Sequence, residues 1–267
     1  MRKITMPTAV LIGAGPGLGI AMARRFGRGG YKIALVSRNP DRHHDALREL
    51  AGLGIEAAAF AADVRDTAGL GAALDEIERN FGGIDFVYYG PSPHNMTETQ
   101  KPIDQITGAD VEASMAMVHP AADVVARTLP GMLARKRGAF LFTSAISAVL
   151  PVPELGAMTV PAAAARSYAV TLNAALAKQG VFAGVLLIGG LINGSDIQTA
   201  MSSSGQSDDA YLLDPDRIAD TAWDLVAKGK TPEALILPGR KGLGLTMLLT
   251  IRLLRVMKRS ARSRSTR

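Results

Sequence analysis

Between Ala9 and Phe26 the chain reads AVLIGAGPGLGIAMARRF, and few folds accommodate such a stretch. Ala9, Val10, Leu11 and Ile12 form a short apolar run of the kind that a parallel strand buried on both faces uses. Gly13, Gly15, Gly17 and Gly19 follow at once. Leu18, Ile20, Ala21, Ala23 and Phe26 then recur at helical spacing until Gly27, Gly29 and Gly30 end the helix. Strand, glycine turn and helix in that order suit a dinucleotide pyrophosphate. The missing side chains let the backbone approach the phosphates, and the helix N-terminus offers free N–H groups and the positive end of its dipole. Gly13, Gly15, Gly17, Leu18 and Gly19 are therefore expected to hold a nucleotide.

The pattern repeats along the chain. Lys32 to Val36 reads as a second strand, ending in Ser37-Arg38, and Asn39 and Pro40 then cap and start a helix. Ile55 to Phe60 reads as a third strand before Asp63-Val64, and Leu70, Leu74 and Ile77 mark a helix that runs to Phe81. Ile84 to Tyr89 reads as a fourth. Strands alternating with helices predict right-handed βαβ units on a parallel sheet. The second strand's end meets the adenosine ribose in such folds, and an acid there accepts from the 2′-hydroxyl of NAD. This chain has Ser37 and Arg38. A guanidinium suits a 2′-phosphate, so NADP(H) is favoured over NAD(H); the plainer alternative is an Arg stacked on the adenine. Asp63 would read the adenine amino group or cap the next turn.

The 267-residue chain is long enough for one large α/β domain, expected over residues 1–240. It has no cysteine, which excludes disulfides and Cys-ligated metals and fits a reducing, cytoplasmic setting. Its start resembles a signal peptide only superficially, because the apolar run leads straight into the glycine turn. The net charge of +6 is misplaced: eight Lys or Arg and no acid lie in residues 241–267, leaving −2 for the rest. Nucleic acid is therefore not an expected partner of the domain.

With these residues in place the sequence resembles the short-chain dehydrogenase/reductase family. The resemblance covers residues 7 to about 239 and rests on Gly13, Gly17 and Gly19, Arg38, Asp63-Val64, Ile84-Asp85 and the later order of elements. It implies a three-layer Rossmann-type α/β fold with a parallel sheet of about seven strands. It also implies NAD(P) as hydride carrier, chemistry on alcohols or carbonyls, and a homodimer or homotetramer. The departures matter more. Tyr89-Gly90-Pro91-Ser92 stands where the family has Asn-Asn-Ala-Gly. A helix over Ala109 to Arg135, kinked by Pro120, should carry an Asn, and that position falls on Met117. Counting through the fifth strand, Ala139 to Thr143, puts the family's catalytic Ser on Ala145. Counting back from the sixth, Val185 to Ile188, puts its Tyr on Met158 and its Lys on Ala162. In the family the Tyr exchanges the alcohol proton, the Lys lowers its pKa and the Ser orients the substrate oxygen. Met and Ala can do none of this.

Substitute groups lie nearby. Tyr89 would turn its hydroxyl into the cleft or form an aromatic wall. His94 titrates near neutrality on its loop. Ser144 and Ser147 would orient a substrate oxygen or cap the chain after the strand. Tyr168 reads as core or subunit interface. Gly90 and the backbone of Ile192, after the sixth strand, are expected against the cofactor, and Asn193 to Leu212 reads as a substrate lid. Ala234 to Leu237 reads as a seventh strand. The apolar character of Met117, Ala145, Met158 and Ala162 favours a small hydrophobic substrate. Two other readings are non-redox chemistry (cyclase, isomerase or lyase) and an NADP-binding regulatory module. The tail, 241–267, reads as a basic amphipathic helix that packs on a subunit or on the cleft, or lies peripherally on a membrane surface.

Overall fold

The computed structural model describes residues 6–92, 101–203 and 211–238. The expected alternation is present. Strands β1 (Thr8–Ile12), β2 (Lys32–Ser37), β3 (Ala57–Ala61) and β4 (Phe86–Tyr89) alternate with helices α1 (Leu18–Arg28), α2 (Asp41–Gly52) and α3 (Thr67–Phe81). Then come α4 (Gly108–Met115), α5 (His119–Arg135), β5 (Gly138–Ala145), α6 (Thr159–Leu176) and β6 (Val181–Ile188). The chain continues through β7 (Leu191–Ile192), α7 (Asp196–Ser203), β8 (Leu212–Leu213), α8 (Pro215–Lys228) and β9 (Glu233–Ile236). Seven strands form one sheet in the order β3-β2-β1-β4-β5-β6-β9, every pair parallel. Strands β7 and β8 add a small parallel ladder of their own.

Alternation along β1 sends side chains to opposite faces. Val10 and Ile12 join one core with residues of α3, α5 and α6, while Ala9 and Leu11 join the other with α1 and α8. On that second face Phe26 stacks on Phe86 at 4.1 Å between ring centroids, and Trp223 of α8 meets Phe26 edge-on at 5.3 Å. At the bottom of the sheet, buried Asp85 accepts from the Thr8 N–H at 3.1 Å and pairs with Arg137 at 2.9 Å. The strand order reverses between β1 and β4, so their C-terminal ends diverge into a crevice, the usual place for a ligand in open α/β sheets.

Several boundaries differ from the sequence reading. The third strand starts at Ala57 rather than Ile55, the fourth at Phe86 rather than Ile84, and β6 at Val181 rather than Val185. The largest correction concerns the single kinked helix expected over 109–135. The structure breaks it into α4 and α5, with Ala116 to Val118 as a turn between them. Pro120 lacks an N–H and crowds the preceding turn, so it sits in the first turn of a new helix, where no donor is needed. No helix among the described residues is long and apolar enough to cross a membrane. His94, residues 204–210 of the expected lid and the tail 241–267 lie outside the described residues.

Candidate functional site

The glycine turn forms the floor of the crevice. After β1 the N–H groups of Gly13 and Ala14 both donate to the Val36 carbonyl, at 2.9 and 3.2 Å, which folds the turn back over β2. Gly13 has φ +88°, and a Cβ there would lie 2.5 Å from the Gly90 carbonyl oxygen. Gly19 is equally constrained, because a Cβ would meet Ala14 Cα at 2.7 Å. Gly15 is different: a Cβ there would meet no atom within 4 Å. The fold does not need its glycine, and the open space lies beside the start of α1. Gly17 caps that helix with φ +80° and has no side chain to offer the first N–H groups of α1. Such a cradle fits a phosphate group.

Two cavities open on this floor. The larger, a chamber of about 370 Å³, is bounded by Gly13, Gly15, Leu18 and Gly19 on the turn side and by Tyr89, Gly90, Ser144 and Ile192 on strand ends. Met117, Ala145, Met158 and Ala162, the four positions reached by counting along the sequence, all line this one chamber. The smaller, a hollow of about 140 Å³, is lined by Ser37, Arg38, Asp63 and Val64 along with Gly13 and Gly15. Thus most of the expected site residues converge. Gly17 faces neither space; it backs onto the Asn193 carbonyl. Ser147 also stands apart, its Oγ buried and without a hydrogen-bond partner among the described residues.

The hydroxyls on the chamber walls are mostly committed. Tyr89 Oη donates to the Met117 carbonyl at 2.8 Å, an acceptor that is available because the chain leaves helical geometry at 116–118. Burial, then the charge of Asp123, pushes the Tyr89 phenol well above its ordinary pKa. Ser144 Oγ is buried and donates to the Ala162 carbonyl at 2.8 Å. Thr143 Oγ1 donates to Tyr88 Oη at 2.9 Å, and burial pushes the Tyr88 phenol up to about 12. Tyr168 packs edge-on against Phe142 at 5.7 Å and also lines the chamber, so it is more than a core residue. Among the described wall residues, the chamber presents mainly apolar surface and neutral hydroxyls.

The hollow is polar. Arg38 is exposed at the end of β2 and makes no ion pair among the described residues. Asp63 is engaged by its neighbour Arg65, at 2.6 Å to Nη2, and that hydrogen bond holds its carboxyl below the usual carboxylate range. The turn-capping reading of Asp63 has direct support, since its Oδ1 also accepts from the Arg65 N–H at 2.9 Å. Ser37 Oγ lies 2.7 Å from Nε2 of the buried His43, whose pKa burial lowers. The Ile192 carbonyl accepts from the Ser195 N–H at 3.1 Å. Sequence reasoning missed His43, Arg42 and Asp196. Arg42 and Asp196 line the hollow, and His43 lies behind it against Ser37; the first turn of the helix that starts just after Arg38 carries Arg42 and His43, which is the signal that could have found them.

Residues 7–204 match the family described as short chain dehydrogenase. Oxidoreductase UcpA of Escherichia coli (strain K12) is 30% identical over 147 residues, covering 55% of this chain and 54% of that protein. The 2,3-dihydro-2,3-dihydroxybenzoate dehydrogenase of Bacillus subtilis (strain 168) is 28% identical over 176 residues, 65% of each chain. The matches thus span about half to two thirds of those relatives. Among solved structures, L-sorbose reductase from Gluconobacter frateurii complexed with NADPH and L-sorbose superposes with a TM-score of 0.75 at 24% identity, covering 88% of this chain and 97% of that one. A short-chain oxidoreductase from Pseudomonas aeruginosa PAO1, described as containing an atypical catalytic center, gives 0.76 at 18% identity with the same coverage. At these identities the likeness speaks for the fold.

Proposed function

This chain belongs to the short-chain dehydrogenase family, and on that premise we propose that it is an NADP(H)-dependent oxidoreductase acting on a small apolar carbonyl or alcohol. The observation that carries the reading is the continuity of three features. A phosphate cradle opens at Gly15 and the start of α1, the exposed guanidinium of Arg38 lies to one side, and an apolar chamber lies to the other. When bound, the nicotinamide supplies or accepts hydride. Arg38, with Ser37, would hold the 2′-phosphate, and Val64 and Asp63 would flank the adenine. The Gly90 and Ile192 backbone would border the nicotinamide. The relatives and neighbours named above are oxidoreductases, one of them solved with NADPH, which supports the same reading.

The wall positions where the family carries Asn, Ser, Tyr and Lys are Met117, Ala145, Met158 and Ala162 here. The proton must therefore come from elsewhere, and we assign it to Tyr89. Its hydroxyl sits on the chamber wall, held by the Met117 carbonyl. A phenol kept neutral by burial still acidifies readily toward an alkoxide, which is a far stronger base than a phenolate. By microscopic reversibility the same hydroxyl would take that proton back in the oxidation. Ser144, whose Oγ is committed to Ala162, and His94 of the adjoining loop are the alternative sources. A homodimer or homotetramer is part of the same proposal. The non-redox and regulatory readings rest on the absence of the family's Tyr and Lys alone.

The test is a titration of the full chain with NADPH and NADP⁺, with NAD(H) as control, followed by nicotinamide fluorescence and melting temperature. A panel of apolar ketones comes next. Micromolar NADPH binding and ketone-dependent NADPH oxidation are expected. Tyr89→Phe should keep the binding and lose about 10²–10⁴ in turnover, the usual worth of a general acid. Absence of dinucleotide binding overturns the proposal. Binding with full turnover in Tyr89→Phe moves the proton to Ser144 or His94.

A further inference from the structure

The chamber and the hollow meet at Asp196, which lines both. Across that border runs one ion pair: Arg42 Nη1, from the first turn of α2, donates to Asp196 Oδ2 at 2.7 Å. Asp196 is the first residue of α7, and Ile197 and Met201, one turn apart on that helix, are chamber wall. Arg42 meanwhile shares the wall of the hollow with Ser37, Arg38 and Asn39. The two elements are 154 residues apart in sequence. A single contact thus ties the adenosine side of the site to a helix that borders the substrate space. Both side chains are about half-exposed, at 49% and 48%, and ion pairs of that kind are weak. The other acid among the described residues lining the hollow, Asp63, is already held by Arg65.

We propose that Arg42 is a second determinant of cofactor choice, kept by Asp196 until a 2′-phosphate withdraws it, and that this exchange releases the N-terminus of α7. The inference rests on the NADP(H) reading of the site. A phosphate monoester carries about −1.5 to −2 charge and three strong acceptor oxygens. A guanidinium already at the hollow's edge pairs with it in preference to a single exposed carboxylate. NAD(H) offers only a hydroxyl and leaves the Arg42–Asp196 pair closed. The site would then select the phosphorylated cofactor twice, once in affinity and once in the response of the substrate wall, because only the ligand with differential contacts shifts that equilibrium. Arg38 binds in place, whereas Arg42 binds by exchange.

The experiment uses adenosine 2′,5′-bisphosphate and 5′-AMP as probes, titrated calorimetrically into the full chain and into Arg42→Gln, Asp196→Asn and the double variant. Hydrogen exchange of α7 is read in parallel. Both positions are exposed, and a melt of each variant checks folding. The wild type should prefer the bisphosphate. Asp196→Asn should tighten bisphosphate binding severalfold with 5′-AMP unchanged. Arg42→Gln should weaken the bisphosphate alone by about tenfold, the worth of one charge-assisted hydrogen bond at an open site. The double variant should match Arg42→Gln. Exchange in α7 should rise with the bisphosphate and not with 5′-AMP. A bisphosphate preference identical in all four proteins overturns the role of Arg42 and leaves the NADP(H) reading standing. A wild type that binds both probes alike overturns the cofactor preference and the exchange together. Unaltered α7 exchange overturns the coupling to the substrate wall.

Discussion

Gly13 and Gly15 are two residues apart and should respond oppositely to a methyl group. Gly13→Ala forces a left-handed φ of +88° on an L-residue and drives Cβ to within 2.5 Å of the Gly90 oxygen. The expected cost is about 1–3 kcal/mol for the backbone alone, seen as a lower melting temperature. Gly15→Ala meets no atom within 4 Å and no left-handed φ, so its melt should stay at the wild-type value. Its NADPH affinity should fall by tenfold or so, because the methyl group takes the space a phosphate needs. Equal destabilisation by the two would mean that Gly15 is structural after all. At this scale the sequence was a good guide to position and a poor one to bonding. The glycines, Arg38 and the four apolar wall residues could be placed by counting, since each sits at a fixed offset from a strand end. That Tyr89 would find the Met117 carbonyl, Asp63 its neighbour Arg65, or Arg42 a partner 154 residues away depends on tertiary approach, which no local spacing encodes.

Among the elements, α4 shows how a boundary was misread and what holds it. Thr107 and Asp110 form a reciprocal capping box, with the Asp110 N–H donating to Thr107 Oγ1 and the Thr107 N–H donating to Asp110 Oδ2. Four residues beyond Met115, at His119, a second helix starts, and Pro120 is in its first turn. The sequence carried both signals. The apolar period runs through the break, and the kink reading won because a proline inside a long periodic stretch usually bends a helix rather than starting one. Lys101, ahead of the cap, donates to Asp110 at 2.9 Å, and it and Thr107 hold that carboxyl down to about 2, from 3.8. The sign follows directly. A carboxylate with a lowered folded pKa contributes support that is complete above its unfolded value and disappears as pH falls through the folded one. The cap of α4 should therefore loosen between about pH 4 and pH 2. A carboxyl-carbon titration by NMR, read against the α4 chemical shifts, should show the two moving together, and Asp110→Asn should abolish the transition.

For the whole molecule, the parallel sheet of seven strands follows from the alternation of strands and helices, and that much is legible in the sequence. The pairing of helices across the faces is not. Phe26 of α1 stacks on Phe86 of β4 and takes the edge of Trp223 from α8, three residues drawn from the two ends and the middle of the chain. Phe26 is fully buried, so Phe26→Ala should cost about 3–5 kcal/mol in urea unfolding, with the loss spread over the whole transition. A smaller effect confined to one segment would show that the α1–α8 face folds separately. The chamber stands on the other side of this accounting. Met117, Ala145, Met158 and Ala162 all line it, from the turn before α5, the end of β5 and the start of α6. The shape of the chamber is therefore set by the scaffold, and the groups on its walls are a separate matter. Met117→Asn, Ala145→Ser, Met158→Tyr and Ala162→Lys introduced together should yield a protein that still melts cooperatively and that oxidises a secondary alcohol with NADP⁺. The chemistry that the family resemblance implies would then be four substitutions away.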